Sequence, residues 1–169
     1  MKMIKHTIEE QLILHEGVRL ECYRCPAGKW TIGVGRNLEA VGLFDYEQEH
    51  ILGCRGLNKF QVIELLQETG ITYSEAMFLL NNDIIRIRAE LERDYRWFKF
   101  LNEVRQKVVI DMRFNLGEAG FAGFKKMIQQ LELENYWNVA EEMHDSKWCS
   151  QVGERSKRLV RMMVTGQDY

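Results

Sequence analysis

The stretch HEGVRLECYRCPAGKWTIGVG, residues 15–35, decides how the rest of the chain reads. It sets a carboxylate, Glu16, directly before Gly17, a thiol, Cys25, nine residues on, and a hydroxyl, Thr31, six beyond that. Upstream, Thr7-Ile8-Glu9-Glu10 has the pattern of a capping box, in which a hydroxyl and a carboxylate three apart serve each other's backbone amides. It predicts a helix over 7–16 that Gly17 stops. Pro26-Ala27-Gly28, between LECYRC and KWTIGVG, predicts a turn joining two strands. The three chemical groups therefore span a helix end and a hairpin.

Working outward, residues 36–57 carry Gly42, Gly53 and Gly56 and give only a third strand and a short helix as expectations. Beyond them the chain reads as helical. Asn58-x-x-Gln61 caps a helix that Gly70 ends, and Thr72-x-x-Glu75 caps another. The latter carries Ala76, Leu79, Leu80, Ile84, Ile87 and Leu91 at helical spacing, enough for some twenty residues and for a link between two lobes. Further helices are predicted over about 102–115, 124–145 (interrupted near Asn135) and 155–164, with Gly117 and Gly166 as stops.

Each group in the opening stretch admits two readings. Helical spacing projects Glu16 between Leu12 and Ile13, and it lies at a helix C-terminus where the macrodipole disfavours negative charge. Both effects favour the protonated form, as a general acid needs. A lone Glu is otherwise an exposed surface residue. In KWTIGVG, Trp30, Ile32 and Val34 point one way and Thr31, Gly33 and Gly35 the other, leaving one bulky face and one nearly bare. Glycine inside a strand marks close approach of a ligand or another backbone, or a bulge or tight bend.

Bulk properties exclude several classes. Of 169 residues, 23 are Lys or Arg and 25 are Asp or Glu, so no basic excess points to nucleic acid. No apolar run reaches the roughly 18 residues of a membrane span, and MKMIKHTIEEQ has no signal-peptide core. A cytosolic chain is expected, and its four cysteines (Cys22, Cys25, Cys54, Cys149) are expected as free thiols. Cys22-x-x-Cys25 and His50-x-x-x-Cys54 lack the further ligands of a metal site, so neither metal nor cofactor is expected.

Taken together, Glu16, Cys25 and Thr31 followed by Ile32-Gly33-Val34-Gly35 resemble the active-site signature of phage-type lysozymes, the endolysin muramidases. Gly70-Ile71-Thr72 and Asn82-Asp83 resemble that family's inter-lobe helix. Phe114-Asn115-Leu116-Gly117-Glu118 and Gly120-Phe121-Ala122-Gly123-Phe124 resemble its cleft segment. Arg155, Lys157, Arg158 and Thr165-Gly166 resemble its last helix. The resemblance implies an α+β, mostly helical fold of two lobes with a groove between them. It implies a β-containing lobe over about 17–71, a connecting helix over 72–93, a helical lobe over 94–169, and the 7–16 helix packed near the junction. It implies cleavage of the β-1,4 bond between N-acetylmuramic acid and N-acetylglucosamine in peptidoglycan. Glu16 would be the proton donor, Cys25 the second catalytic group, and Thr31 the holder of water or sugar. Arg155 would pair with the acid, and Asp83 with Arg36, which falls where the family often has histidine. Gly33, Gly35, Phe114 and Asn115 would meet substrate. A monomer is implied, held in the host cytoplasm until a holin or lysis releases it to the wall.

The departure lies at Cys25. Glycoside hydrolysis normally uses two carboxyl groups, and a free thiol with a pKa of about 8.5 is only a few per cent thiolate at neutral pH. Arg24, its neighbour, faces the other way on a strand. Glu21 shares the strand face but lies about 13 Å off by strand rise, too far to replace it. A sulfur can still serve as base, electrostatic partner or nucleophile. Two other readings stay open: a lytic transglycosylase, which needs one acid because the sugar's own hydroxyl closes the ring, and an inactive wall-binding protein.

Overall fold

Thr7 opens the first helix, α1 (Ile8–Glu16), in the computed structural model, which describes residues 6–169. The Thr7 amide donates to Glu10 Oε2 at 2.8 Å and the Glu10 amide to Thr7 Oγ1 at 3.1 Å, the reciprocal pair that the sequence predicts. Gly17 ends the helix at φ +72°, its amide reaching back to the Ile13 carbonyl at 2.9 Å.

A three-stranded antiparallel sheet follows in chain order: β1 (Arg19–Arg24), β2 (Trp30–Gly33) and β3 (Arg36–Asn37). Tyr23 stands opposite Thr31 and Arg24 opposite Trp30, with a register irregularity between Arg19 and Tyr23. Then come α2 (Asp45–Leu52), α3 (Lys59–Thr69) and the 22-residue α4 (Tyr73–Asp94). The capping boxes of α3 and α4 close as their sequences require, Asn58 with Gln61 and Thr72 with Glu75.

The helical remainder departs more from the sequence reading. A short 3-10 turn (Phe98–Phe100) leads into α5 (Glu103–Ala122). Gly117, at φ +73°, breaks α5 as predicted, but the helix resumes beyond it. The helix expected over 124–145 is interrupted near Asn135 as the sequence reading has it, giving α6 (Lys125–Glu132) and α7 (Tyr136–His144), with Asn135 capping the second. A short α8 (Lys147–Val152) precedes α9 (Glu154–Thr165), which Gly166 ends in the left-handed conformation.

The chain divides into two units, Leu12–Asp83 and a helical one that joins the segment ending at Gln11 to Ile84–Tyr169. In the first, Ile32, Leu38, Val62, Leu66, Ala76 and Leu79 build one core from β2, the following loop, α3 and α4. Each fully buried aliphatic side chain contributes about 1.5–3 kcal/mol. In the second, Phe98, Val108, Ile110, Met112, Phe121, Leu131, Val139, Met143 and Leu159 are all sealed from solvent. A polar clasp closes this unit. Buried Lys107 pairs with Asp168 and donates to the His6 carbonyl at 2.6 Å. Arg105 donates to the carbonyls of Met163 and Val164 at 2.9 and 3.1 Å. Among the described residues no helix is long and apolar enough to cross a membrane.

Gly70 shows how tightly the sheet unit is packed. It sits at φ +61°, ψ −161°, a region only glycine adopts without strain. A Cβ there would lie 2.8 Å from the Leu20 carbonyl oxygen, which already accepts the Ile71 amide at 2.8 Å. Gly70→Ala is expected to destabilise the protein by at least about 1–3 kcal/mol, measured by urea denaturation.

Candidate active site

Local structure brings Cys25 and Thr31 together. Cys25 lies just past β1 in the turn, not on the strand, with its amide bonded to the Lys29 carbonyl at 3.0 Å and its carbonyl accepting from Gly28 at 2.7 Å. Gly28 supplies φ +74°. Burial pushes the Cys25 thiol up, but the amides of Lys29, Ala27 and Cys25 itself, with the Thr31 hydroxyl, outweigh it and hold the thiol below its ordinary value. The Thr31 hydroxyl also lies 3.0 Å from the Lys29 carbonyl. It donates its one proton to that carbonyl, the same oxygen that accepts the Cys25 amide.

Cys22 is the internal contrast. Burial alone pushes its thiol up to about 11. Arg24 donates to the Gly28 carbonyl and Glu39 and lies over the Trp30 ring. Glu39 completes the hairpin clamp by accepting from Lys29 and from the Trp30 amide.

Glu16 is the last residue of α1 and half-buried. Its charge is felt at Tyr23, whose phenol is pushed up first by burial, then by Glu16, and further by Cys25, against the lowering effect of Arg19. The sparse face of β2 is covered by the protein itself, so of the readings open for its glycines the approach of another segment of the chain fits Gly33. Thr31 and Gly33 are buried as well as Ile32 and Val34. The Gly33 Cα faces Ala76 of α4, where a Cβ would come within 3.7 Å, and the residue holds φ +65°. A Cβ at that distance would make ordinary van der Waals contact, so the left-handed backbone, more than space, calls for glycine here. Gly35 follows it at φ +69° in the turn to β3.

Arg36 is buried, and its guanidinium meets five acceptors. Nη1 and Nη2 donate to the two oxygens of Glu47 at 2.8 and 2.9 Å, Nε to Asp83 at 2.8 Å, and the remaining donors to the carbonyls of Gly42 and Leu79 at 3.0 and 3.2 Å. That matches the five N–H groups of the side chain. Sequence reading found Asp83 but missed Glu47, which is wholly enclosed and also accepts from Asn82 and the Phe44 amide. The only available signal was Phe44-x-x-Glu47, whose geometry is a capping arrangement.

The other sequence candidates belong to the helical unit. Arg155, in the first turn of α9, donates from Nε to Asp111 Oδ1 at 2.8 Å. The second oxygen of Asp111 accepts from Gln11 Nε2 at 2.7 Å, and both Asp111 and Gln11 are completely enclosed. Neither was singled out from sequence, since an Asp inside a helix normally reads as surface. Phe114 is half-buried, and exposed Asn115 accepts from Trp148 Nε1 at 2.9 Å. Among the described residues no cluster of three or more His, Cys, Asp or Glu side chains could hold a metal.

This arrangement is that of a known class. The profile of the family described as "Phage lysozyme" matches residues 14–162, and the chain belongs to that family. It is a glycoside hydrolase of the muramidase kind. It is 27% identical to the "Probable T4-type lysozyme 1" of Dictyostelium discoideum, over 95% of each chain, and 24% identical to "Probable T4-type lysozyme 2" of the same organism, again over 95% of each. It is also 27% identical to part of the pre-baseplate central spike protein of Enterobacteria phage T4, matching 95% of this chain and 28% of that protein.

Two outcomes test the electrostatics. At neutral pH, iodoacetamide is expected to alkylate Cys25 well before Cys22, in the order of their thiolate fractions, as read by peptide mass spectrometry. Glu47→Gln is expected to cost about 3 kcal/mol in chemical denaturation near neutral pH. Burial pushes the Glu47 carboxyl up, but Arg36 more than offsets this and holds it below the ordinary carboxylate range. Its contribution is therefore present above that range and is lost as pH falls through the lowered value, so the gap between variant and wild type should narrow in acid.

Proposed function

We propose that the protein is an endolysin that hydrolyses the β-1,4 bond between N-acetylmuramic acid and N-acetylglucosamine and so lyses the bacterial host. Glu16 protonates the glycosidic oxygen as the bond breaks. Cys25 takes the place of the second carboxylate, and Thr31 orders the water or the reacting sugar. Arg36, Asp83 and Arg155 support these groups, while Gly33, Gly35, Phe114 and Asn115 shape the surroundings of the glycan. The enzyme acts as a monomer and waits in the host cytoplasm until a holin opens the way to the wall.

The observation that carries this reading is the hairpin turn around Cys25, where the Cys25 amide and the Thr31 hydroxyl meet on the Lys29 carbonyl at 3.0 Å each and the thiol is held below its ordinary pKa. Two-group glycoside hydrolysis needs an anion or base on the side of the sugar opposite the acid. A cysteine at its ordinary pKa supplies little of either, whereas a sulfur held by amides and a hydroxyl supplies more. Deprotonated, it can draw a proton from water, face the developing oxocarbenium charge, or bond to the anomeric carbon.

Glu16→Gln is expected to abolish turbidity loss of chloroform-treated Gram-negative cells while leaving the fold intact. Cys25→Ser should lower activity strongly, and Cys25→Asp should retain or restore it. Equal activity of Cys25→Ser and wild type would deny the sulfur a chemical part. Muropeptide mass spectrometry should show reducing N-acetylmuramic acid ends; 1,6-anhydro ends would make the enzyme a lytic transglycosylase that uses Glu16 alone.

A further inference from the structure

Strand geometry adds a residue to the set named above. In an antiparallel pair, residues directly opposite share a face, and residues two apart on one strand share it too. Tyr23 stands opposite Thr31 in the β1–β2 register, so the two share one face of the hairpin. The Thr31 hydroxyl and the Cys25 amide both donate to the Lys29 carbonyl, each at 3.0 Å, which draws the turn residue Cys25 to the same end of the hairpin. Tyr23 and Thr31 therefore lie beside the turn that carries Cys25.

Two further contacts define the Tyr23 environment. The Arg19 guanidinium carbon sits 4.3 Å from the centre of its ring, within the range of a cation–π contact that fixes the ring's orientation. The phenol also lies within the electrostatic reach of both Glu16 and Cys25. Negative charge on either neighbour opposes a phenolate and keeps the O–H proton in place. The ring is half-buried, so one edge remains open to a ligand. An aromatic body with a protonated hydroxyl at its tip suits a sugar, which offers both C–H surface and hydroxyl acceptors.

We propose that Tyr23 is a substrate-binding residue of this hydrolase, its O–H donating a hydrogen bond to the sugar held between Glu16 and Cys25, with Arg19 as the positioning residue that orients the ring. This rests on the reading of Glu16 and Cys25 given above. No proton is transferred at Tyr23; it binds and orients. The pairing with Thr31 also explains why a tyrosine suits this place better than an aliphatic residue, which would pack but donate nothing.

The experiment compares Tyr23→Phe, Arg19→Met and Glu16→Gln with wild type on soluble peptidoglycan oligosaccharides. Tyr23→Phe keeps the ring and removes one donor, so the fold and the thermal midpoint should stay unchanged. Its kcat/KM should fall about tenfold, the scale of one lost hydrogen bond to a polar ligand. Arg19→Met should lower kcat/KM by a smaller factor, and Arg19→Lys should recover part of that loss, because a cation again faces the ring. The readout that a purely structural role would not move is NMR of isotope-labelled tyrosine. In Glu16→Gln the Tyr23 resonance should titrate at lower pH than in wild type, because one opposing charge has gone. An unchanged kcat/KM in Tyr23→Phe, or a Tyr23 titration indifferent to Glu16→Gln, overturns the inference. Undiminished turnover by Glu16→Gln instead overturns the assignment of the acid, so the two failures are distinguishable.

Discussion

The guanidinium of Arg36 is the contact on which the sheet-bearing unit depends. Apolar packing alone would leave β3, which is only two residues long, with little to hold it. Arg36 ties that strand at once to α2 through Glu47, to α4 through Asp83 and the Leu79 carbonyl, and to the intervening loop through the Gly42 carbonyl. A buried cation is tolerable only when every donor is matched and charge of the opposite sign stands beside it. Both conditions are met. Because β3 pairs with β2, fixing β3 also fixes the strand that carries Thr31.

The hairpin can then act as an electrostatic device. A thiol placed on a regular strand would face the neighbouring side chains and little else. In the turn, nearby backbone amides and the Thr31 hydroxyl outweigh the cost of burial and lower the Cys25 thiol. The same residue type three positions earlier, at Cys22, meets only apolar surroundings and moves in the opposite direction. Backbone conformation, more than any neighbouring charged side chain, separates the two sulfurs. Under the proposed function, this difference is what would let Cys25 stand in for the usual second carboxylate.

Much of this was legible in the sequence, and the rest was hidden for identifiable reasons. Capping boxes at Thr7, Asn58 and Thr72 predicted helix starts because their pairing is local, three residues apart. The Pro26-Ala27-Gly28 turn was legible for the same reason. The partners of Arg36 and Arg155 were harder. Asp83 came with the family resemblance, whereas Glu47, Asp111 and Gln11 gave no local sign of burial. Those contacts join residues up to 100 positions apart, and no periodicity records them. The glycines near β2 left open a ligand, another backbone or a tight bend; Gly33 lies against Ala76 of α4 with φ +65°, a choice that needs the position of α4 to be known. The fold class followed from patterns along the chain, while the electrostatics of the site depended on where a turn aims its amides.

The clasp around Lys107 has a topological consequence. One ammonium group holds the His6 carbonyl and the Asp168 carboxylate together, each a single hydrogen bond from the same nitrogen. The helical unit draws its residues from both flanks of the chain, with Leu12–Asp83 inserted between them. The backbone therefore runs nearly as a closed ring, fastened at this point by charge in place of a peptide bond. Sequence order and spatial order are separable in such a molecule, and a circular permutant joined across residues 168 and 6 would give the helical unit one continuous segment of its own.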